Sequence, residues 1–184
     1  MHAALDPSTL RPLKRVEYEV LVRQGIFEHE RVELLYGMVV RMTPIGTDHC
    51  SVVERLNEIL VLALHGRARI RPQSSLAAGD DSEPEPDFAV VERVDHAEEH
   101  PSNAWLIIEV ADSSLAHDRK VKGPLYAAVG VPEYWIVNLV DKTIEVYTNP
   151  RGGKYTRKTI HTRGGSITLV RFPDVTLTVD DVLG

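Results

Sequence analysis

Glu109 stands inside Trp105-Leu-Ile-Ile-Glu-Val110, where nearly every neighbour is apolar. Such a run is the pattern of a central strand buried on both faces. A buried carboxylate without a partner is costly, so a cation, hydrogen-bond donors or a metal must compensate it. Asp87 poses the same question, because it opens the apolar segment Asp87-Phe-Ala-Val-Val91 directly after Pro86. If these two strands are neighbours, their carboxylates converge, and a divalent cation relieves the repulsion. An all-oxygen ligand set of this kind suits Mg²⁺ or Mn²⁺. In phosphodiester hydrolases a lysine completes such a site by orienting the attacking water and stabilising the developing charge. Lys120 and Lys122 both follow the Glu109 segment closely enough to serve. If Lys122 is desolvated at the site, its pKa falls.

Each residue also has a plain structural reading. Glu109 fits a buried ion pair with Lys120, Lys122 or an arginine. Asp87 fits a turn aspartate at the start of a strand. Arg67, Arg69 and Arg71 alternate, which predicts one strand face carrying all three. That face either tracks a phosphate backbone or discourages edge-to-edge pairing, and the acidic balance of the chain favours the second. A rival metal motif is His96-Ala-Glu-Glu-His100, the H-x-x-E-H order of inverted zinc peptidases. That chemistry needs a helix to bring both histidines to one face. The segment is polar on all sides and runs into Pro101, so a loop is expected instead.

The elements that must position these groups are legible in outline. Val16 to Arg23 reads as a short helix ended by Gly25. Arg31 to Met42 reads as two strand segments around Gly37. After the turn at Thr43 to Gly46, a helix follows with Thr47 or Asp48 as its cap. It buries Val52, Val53, Leu56, Ile59, Leu60 and Ala63 at helical spacing and ends at Gly66. Glu92 to Asn103 reads as a loop. Asp118, Lys122 and Tyr126 are four apart, so a helix stacks them on one face. Pro124 restricts that helix, and its regular part is expected to begin near Lys120 and run to Val129. Tyr134 to Val137 is a further buried strand, with Thr143 to Tyr147 as its hairpin partner. The remainder reads as short strands, with turns at Gly152-Gly153 and Gly164-Gly165. The fold class expected is α/β, a central mixed β-sheet flanked by helices with extra strands at the C-terminal end.

The 184 residues fit one domain, and 43% hydrophobic with 26% charged residues is an ordinary globular composition. No apolar run is long enough to span a bilayer, and Met1 to Val16 contains no apolar leader segment. One cysteine, Cys50, excludes an intramolecular disulfide and a cysteine-based zinc site. A cytoplasmic location and no membrane partner are expected. The net charge of −6 argues mildly against a nucleic-acid binder, although a carboxylate metal centre is itself acidic.

Four segments in order carry a resemblance: Glu83-Pro-Glu-Pro-Asp87, Ile108-Glu-Val-Ala-Asp-Ser-Ser114, Asp118-Arg-Lys-Val-Lys122, and Tyr126-Ala-Ala-Val-Gly-Val-Pro-Glu-Tyr-Trp-Ile-Val137. Together they resemble the Uma-two family of restriction-endonuclease-like proteins, of the PD-(D/E)XK nuclease fold. Arg31-Val-Glu-Leu-Leu35, Thr43-Pro44 and His49 match its N-terminal part. The resemblance covers Val16 to Tyr147. It implies a single restriction-endonuclease-like domain over residues 1–184, a Mg²⁺- or Mn²⁺-dependent endonuclease, nucleic acid (DNA in particular) as substrate, and a homodimer. Carried over by position, Asp87 and Glu109 are the acidic ligands, the Val110 carbonyl joins them, and Glu33 is an additional acid. The lysine usual two residues after the glutamate is absent, since Ala111 stands there, and Lys122 takes the basic role. Glu33 fits a surface salt bridge with Arg31 or Arg41 equally well. His49 is expected near the site at a helix N-terminus rather than as a ligand. Tyr36 and Asn138 depart from positions that are usually acidic. The alternative reading is a non-catalytic nuclease-fold module that dimerises or binds a partner.

Overall fold

The computed structural model describes residues 9–184. Met1 to Ser8, half of the stretch read as lacking a leader, lie outside them. Helix α1 (Arg15–Arg23) leads into the strands β1 (Val32–Leu35) and β2 (Met38–Arg41), followed by helix α2 (Thr47–Ala63). The strands β3 (Arg69–Pro72), β4 (Phe88–Val91) and β5 (Leu106–Ala111) come next. A helical passage then runs through α3 (Leu115–His117), a π-helical turn (Asp118–Lys122) and α4 (Gly123–Ala128). The chain ends with β6 (Glu133–Asn138), β7 (Thr143–Arg151), β8 (Lys154–His161), β9 (Ser166–Thr168), β10 (Thr176–Thr178) and α5 (Val179–Leu183).

Strands β3 to β8 form one mixed sheet in sequence order. Only β5 and β6 run parallel within it, joined over the sheet by the α3–α4 passage. This is the arrangement expected from the sequence, with β5 buried along its whole length at the centre. Alternation along β5 divides the core. Leu106, Ile108 and Val110 pack toward the stripe Val52, Leu56, Leu60 of α2. Ile107 and Ala111 face Leu125 and Tyr126 of α4, and Glu109 shares their side.

The β1–β2 pair is a separate ribbon rather than part of the main sheet. Its two-residue turn places Tyr36 at φ 50° and Gly37 at φ 75°. Both central residues are left-handed, as a tight hairpin turn of this kind requires. A Cβ at Gly37 would lie 2.3 Å from the Cβ of Pro12, so the preceding chain also needs a glycine there.

Three expectations change. The helix after β5 begins at Leu115, not near Lys120, because a π turn absorbs the proline: the Gly123 N–H reaches back to the Asp118 carbonyl. Pro124 then sits in the first turn of α4, directly after the π turn. Arg67 lies in the turn after α2, outside the β3 strand, so the three arginines do not share one strand face. The C-terminal end is not all strand: Val179, Val182 and Leu183 of α5 are buried with the α2 stripe. No helix of the described residues is long and apolar enough to cross a membrane.

Candidate metal centre

The pairing of β4 with β5 sets Phe88 against Ile108, which brings Asp87 and Glu109 to the same end of the two strands. The Val110 N–H donates to Oδ2 of Asp87 at 2.8 Å, and the Asp87 N–H donates to Oε2 of Glu109 at 3.4 Å. Each carboxylate is therefore tied to the backbone of the other's segment, Glu109 to Asp87 and Asp87 to Val110. They line a cleft of about 240 Å³ together with Val110, Glu33, His49, Asp118 and Lys122.

Glu109 is 4% exposed. Its Oε1 accepts from Nζ of Lys122 at 3.1 Å and from the Tyr126 hydroxyl at 2.7 Å. Lys122 and Tyr126 reach the same oxygen because the π turn and α4 carry them on one face over β5. Nζ of Lys122 also lies 3.1 Å from Oε2 of Glu33. Glu33 is buried and accepts from the Glu85 N–H at 3.1 Å. The reading of Glu33 as a surface salt bridge is thus corrected: Arg31 pairs with Glu85, and Arg41 pairs with Glu30. Asp118 is buried as well and accepts from Ser114 Oγ at 2.7 Å.

The electrostatics follow from this crowding. Burial raises the Glu109 pKa; Lys122 opposes the rise, and Asp118, Asp87 and Glu33 add to it. Burial alone would lower the Lys122 pKa, but Glu109, Glu33 and Asp118 outweigh it and the pKa is raised. Lys122 is therefore a permanent ammonium and not a depressed one, which corrects the expectation that desolvation would win. The cleft lining holds six carboxylates, Glu33, Glu85, Asp87, Glu109, Asp112 and Asp118, against Arg31, Arg41 and this one lysine. That set holds more negative charge than these cations neutralise.

His49 touches the site more closely than expected. Its Nε2 lies 3.0 Å from Oδ2 of Asp87, in the first turn of α2, while its buried Nδ1 has no partner. Lys120 is exposed on the π turn and stands outside the cleft lining, so of the two lysines only Lys122 reaches Glu109. Tyr126 was grouped with Lys122 by spacing, yet its hydroxyl contact is visible only in the fold. The arginine stripe contributes nothing here. Arg67 pairs with Asp174 and stacks on Phe172, Arg69 approaches Asp95 at 3.8 Å, and Arg71 is half-buried on the edge strand. The His96 to His100 segment is not helical, which removes the geometry a zinc peptidase needs.

Among the described residues, no three His, Cys, Asp or Glu side chains converge as a self-sufficient metal cage. Asp87 and Glu109 instead stand together at an open cleft that Val110 also lines. That suits Mg²⁺, which keeps waters and takes one or two carboxylates plus substrate phosphate oxygens. The excess of buried carboxylate over ammonium fits a cation at this end of the strands.

Comparison with known proteins agrees with this architecture. The crystal structure of a "putative nuclease belonging to DUF820" from Anabaena variabilis matches with a TM-score of 0.69 and 16% identity, over 83% of this chain and 89% of that chain. At that identity the likeness is one of fold. No curated protein matches the chain. A family model matches residues 16–180, from α1 to α5, and the chain accordingly belongs to the Uma2 family, described as "Putative restriction endonuclease".

Proposed function

We propose that the chain is a metal-dependent endonuclease that hydrolyses nucleic-acid phosphodiester bonds, DNA in particular. Asp87, Glu109 and the Val110 carbonyl would hold Mg²⁺ or Mn²⁺. The observation that carries this reading is the cross-tied Asp87–Glu109 pair, with Glu109, Glu33 and Asp118 buried around the single ammonium of Lys122. Bound metal supplies Lewis-acid polarisation of the phosphate and a lowered pKa for water.

The residues of the chain supply the rest. Lys122 stays protonated, so it acts as a fixed positive charge and donor toward a phosphate or a water, not as a base. Tyr126 and Lys122 occupy Oε1 of Glu109, which leaves Oε2 turned toward Asp87. His49 donates to Oδ2 of Asp87 when Nε2 carries the proton, and so orients that carboxylate. The family match over residues 16–180 supports the same class of reaction.

Calorimetric titration of Mn²⁺ into the wild type, Asp87→Ala and Glu109→Ala tests the site. Saturable binding in the wild type that is lost in both folded variants, with divalent-dependent cleavage of DNA lost in parallel, is the expected result. Retained cleavage in either variant would sink the assignment. Metal binding without cleavage of any nucleic acid would move the chain to the non-catalytic class.

A further inference from the structure

The sheet row that carries Glu109 carries a second buried carboxylate. Pairing runs Glu109, Ile136, Glu145, Ile160 across β5 to β8. Two strand spacings separate Glu109 from Glu145, about 10 Å. Glu145 is 1% exposed and takes hydrogen bonds from three neighbours. Arg119 donates through Nε at 3.1 Å and again through Nη2. The Tyr147 hydroxyl donates at 2.5 Å, and Nζ of Lys158 lies at 2.9 Å. Burial pushes the Glu145 pKa up, but these donors prevail and hold it at about 2.

One buried carboxylate therefore fixes two cations. The Arg119 and Lys158 side chains remain 37% and 39% exposed, and the trio keeps a net positive charge at the surface. Nη1 of Arg119 makes no hydrogen bond among the described residues. Lys120, next to Arg119, is exposed and has no ion pair among them. The surrounding hairpin is basic against the trend of the chain. From Lys142 to Arg163 there are six lysines and arginines and one carboxylate, Glu145 itself, in a protein of net charge −6. Arg119 directly follows Asp118, a residue of the cleft wall.

We propose that Arg119 and Lys158, held on Glu145 with Lys120 beside them, grip the phosphate backbone of the bound nucleic-acid strand. At 3.4 Å per nucleotide, the separation from Glu109 corresponds to about three nucleotides from the scissile bond. This surface rests on the phosphodiesterase reading. It replaces Arg67, Arg69 and Arg71 as the basic footprint of an acidic chain. A purely structural ion pair between β7 and the π turn would alter stability but not the salt dependence of binding.

The test is fluorescence anisotropy with a labelled DNA duplex and an RNA duplex of the same sequence, in chelator so that nothing is cut, across a salt series. The expected result is that Lys120→Ala with Lys158→Ala weakens binding and reduces the slope of log affinity against log salt by about 1.8. Lys158→Arg should restore its share of the slope, and Arg67→Ala should leave it unchanged. Thermal unfolding confirms that each variant is folded. An unchanged slope in the double variant overturns the surface and leaves the metal-centre reading standing. No binding by the wild type to either duplex also overturns the surface, and Mn²⁺ titration then judges the metal centre separately.

Discussion

Nζ of Lys122 lies 3.1 Å from Oε1 of Glu109, inside a site where both side chains are about 5% exposed. Lys122 answers Glu33 at the same distance, so one ammonium serves two buried carboxylates. Removing a buried partner strands the charge it opposed, which costs about 3–5 kcal/mol. Lys122→Met is therefore expected to lose stability on that scale in denaturant unfolding. Adding Glu109→Gln should recover part of the loss, because the two changes couple. A loss below about 1 kcal/mol for Lys122→Met would show that the carboxylates are neutral in the folded chain.

Tyr126→Phe tests the other donor to Glu109. The ring is fully buried and keeps its packing in the variant, so only the 2.7 Å hydrogen bond is removed. Loss of a hydrogen bond to a charged group costs about 1.5–3 kcal/mol. Groups that orient a metal ligand also tune affinity, typically by 10–100-fold. Calorimetry should show Mn²⁺ binding weakened within about that range but not abolished. Unchanged affinity would mean that Lys122 alone fixes the Glu109 carboxylate.

The C-terminal helix offers a stability test remote from the site. Thr178 caps α5 through its hydroxyl, which accepts from the Asp181 N–H at 3.0 Å. Thr178→Ala should cost about 1 kcal/mol in denaturant unfolding, with metal affinity unchanged. A neutral result would mean that burial of Val179, Val182 and Leu183 holds the helix without its cap.

The acidic pair was legible because its residues break an apolar pattern. A glutamate in Leu106-Ile-Ile-Glu-Val-Ala111 is conspicuous, and Asp87 stands at the entrance to a second apolar strand. Lys122 was already set apart from Lys120 by its four-residue spacing from Asp118 and Tyr126 and by the family resemblance, and the fold agrees: Lys122 is buried beside Glu109 and Lys120 is exposed. The raised Lys122 pKa was legible only in part: Glu109 raises it most, but Glu33, which adds to that, arrives from a hairpin far away in sequence. The arginine stripe failed for a local reason, the turn through Arg67 that delays β3 to Arg69. Helix α5 had a signal that the strand reading passed over: Thr178-Val-Asp-Asp181 is a capping pattern before apolar Val182 and Leu183.

Glu83 provides a pH dependence from a position outside the acidic cleft. It pairs with Leu34 by both backbone hydrogen bonds, joining the ribbon that carries Glu33 to the segment that carries Asp87. Its side chain is buried, with Oε2 unpartnered and His100 Nε2 3.7 Å from Oε1. Burial, then the nearby Glu19 charge, raises its pKa from 4.5 to about 7, and Arg15 opposes the rise. Between those two values the folded chain holds a proton that the unfolded chain has released. Stability from this group is therefore full below the unfolded pKa and is lost as pH rises toward about 7. The shift sets an upper bound of about 3 kcal/mol on that loss. Glu83→Gln removes the titration while keeping a polar group of the same shape. The expected outcome is that the variant loses less stability than the wild type between about pH 5 and about pH 8, in unfolding measured at both. Equal losses in the two proteins would show that Glu83 is solvated or paired in the folded chain, and that the segment between β1 and Asp87 carries no proton-linked strain.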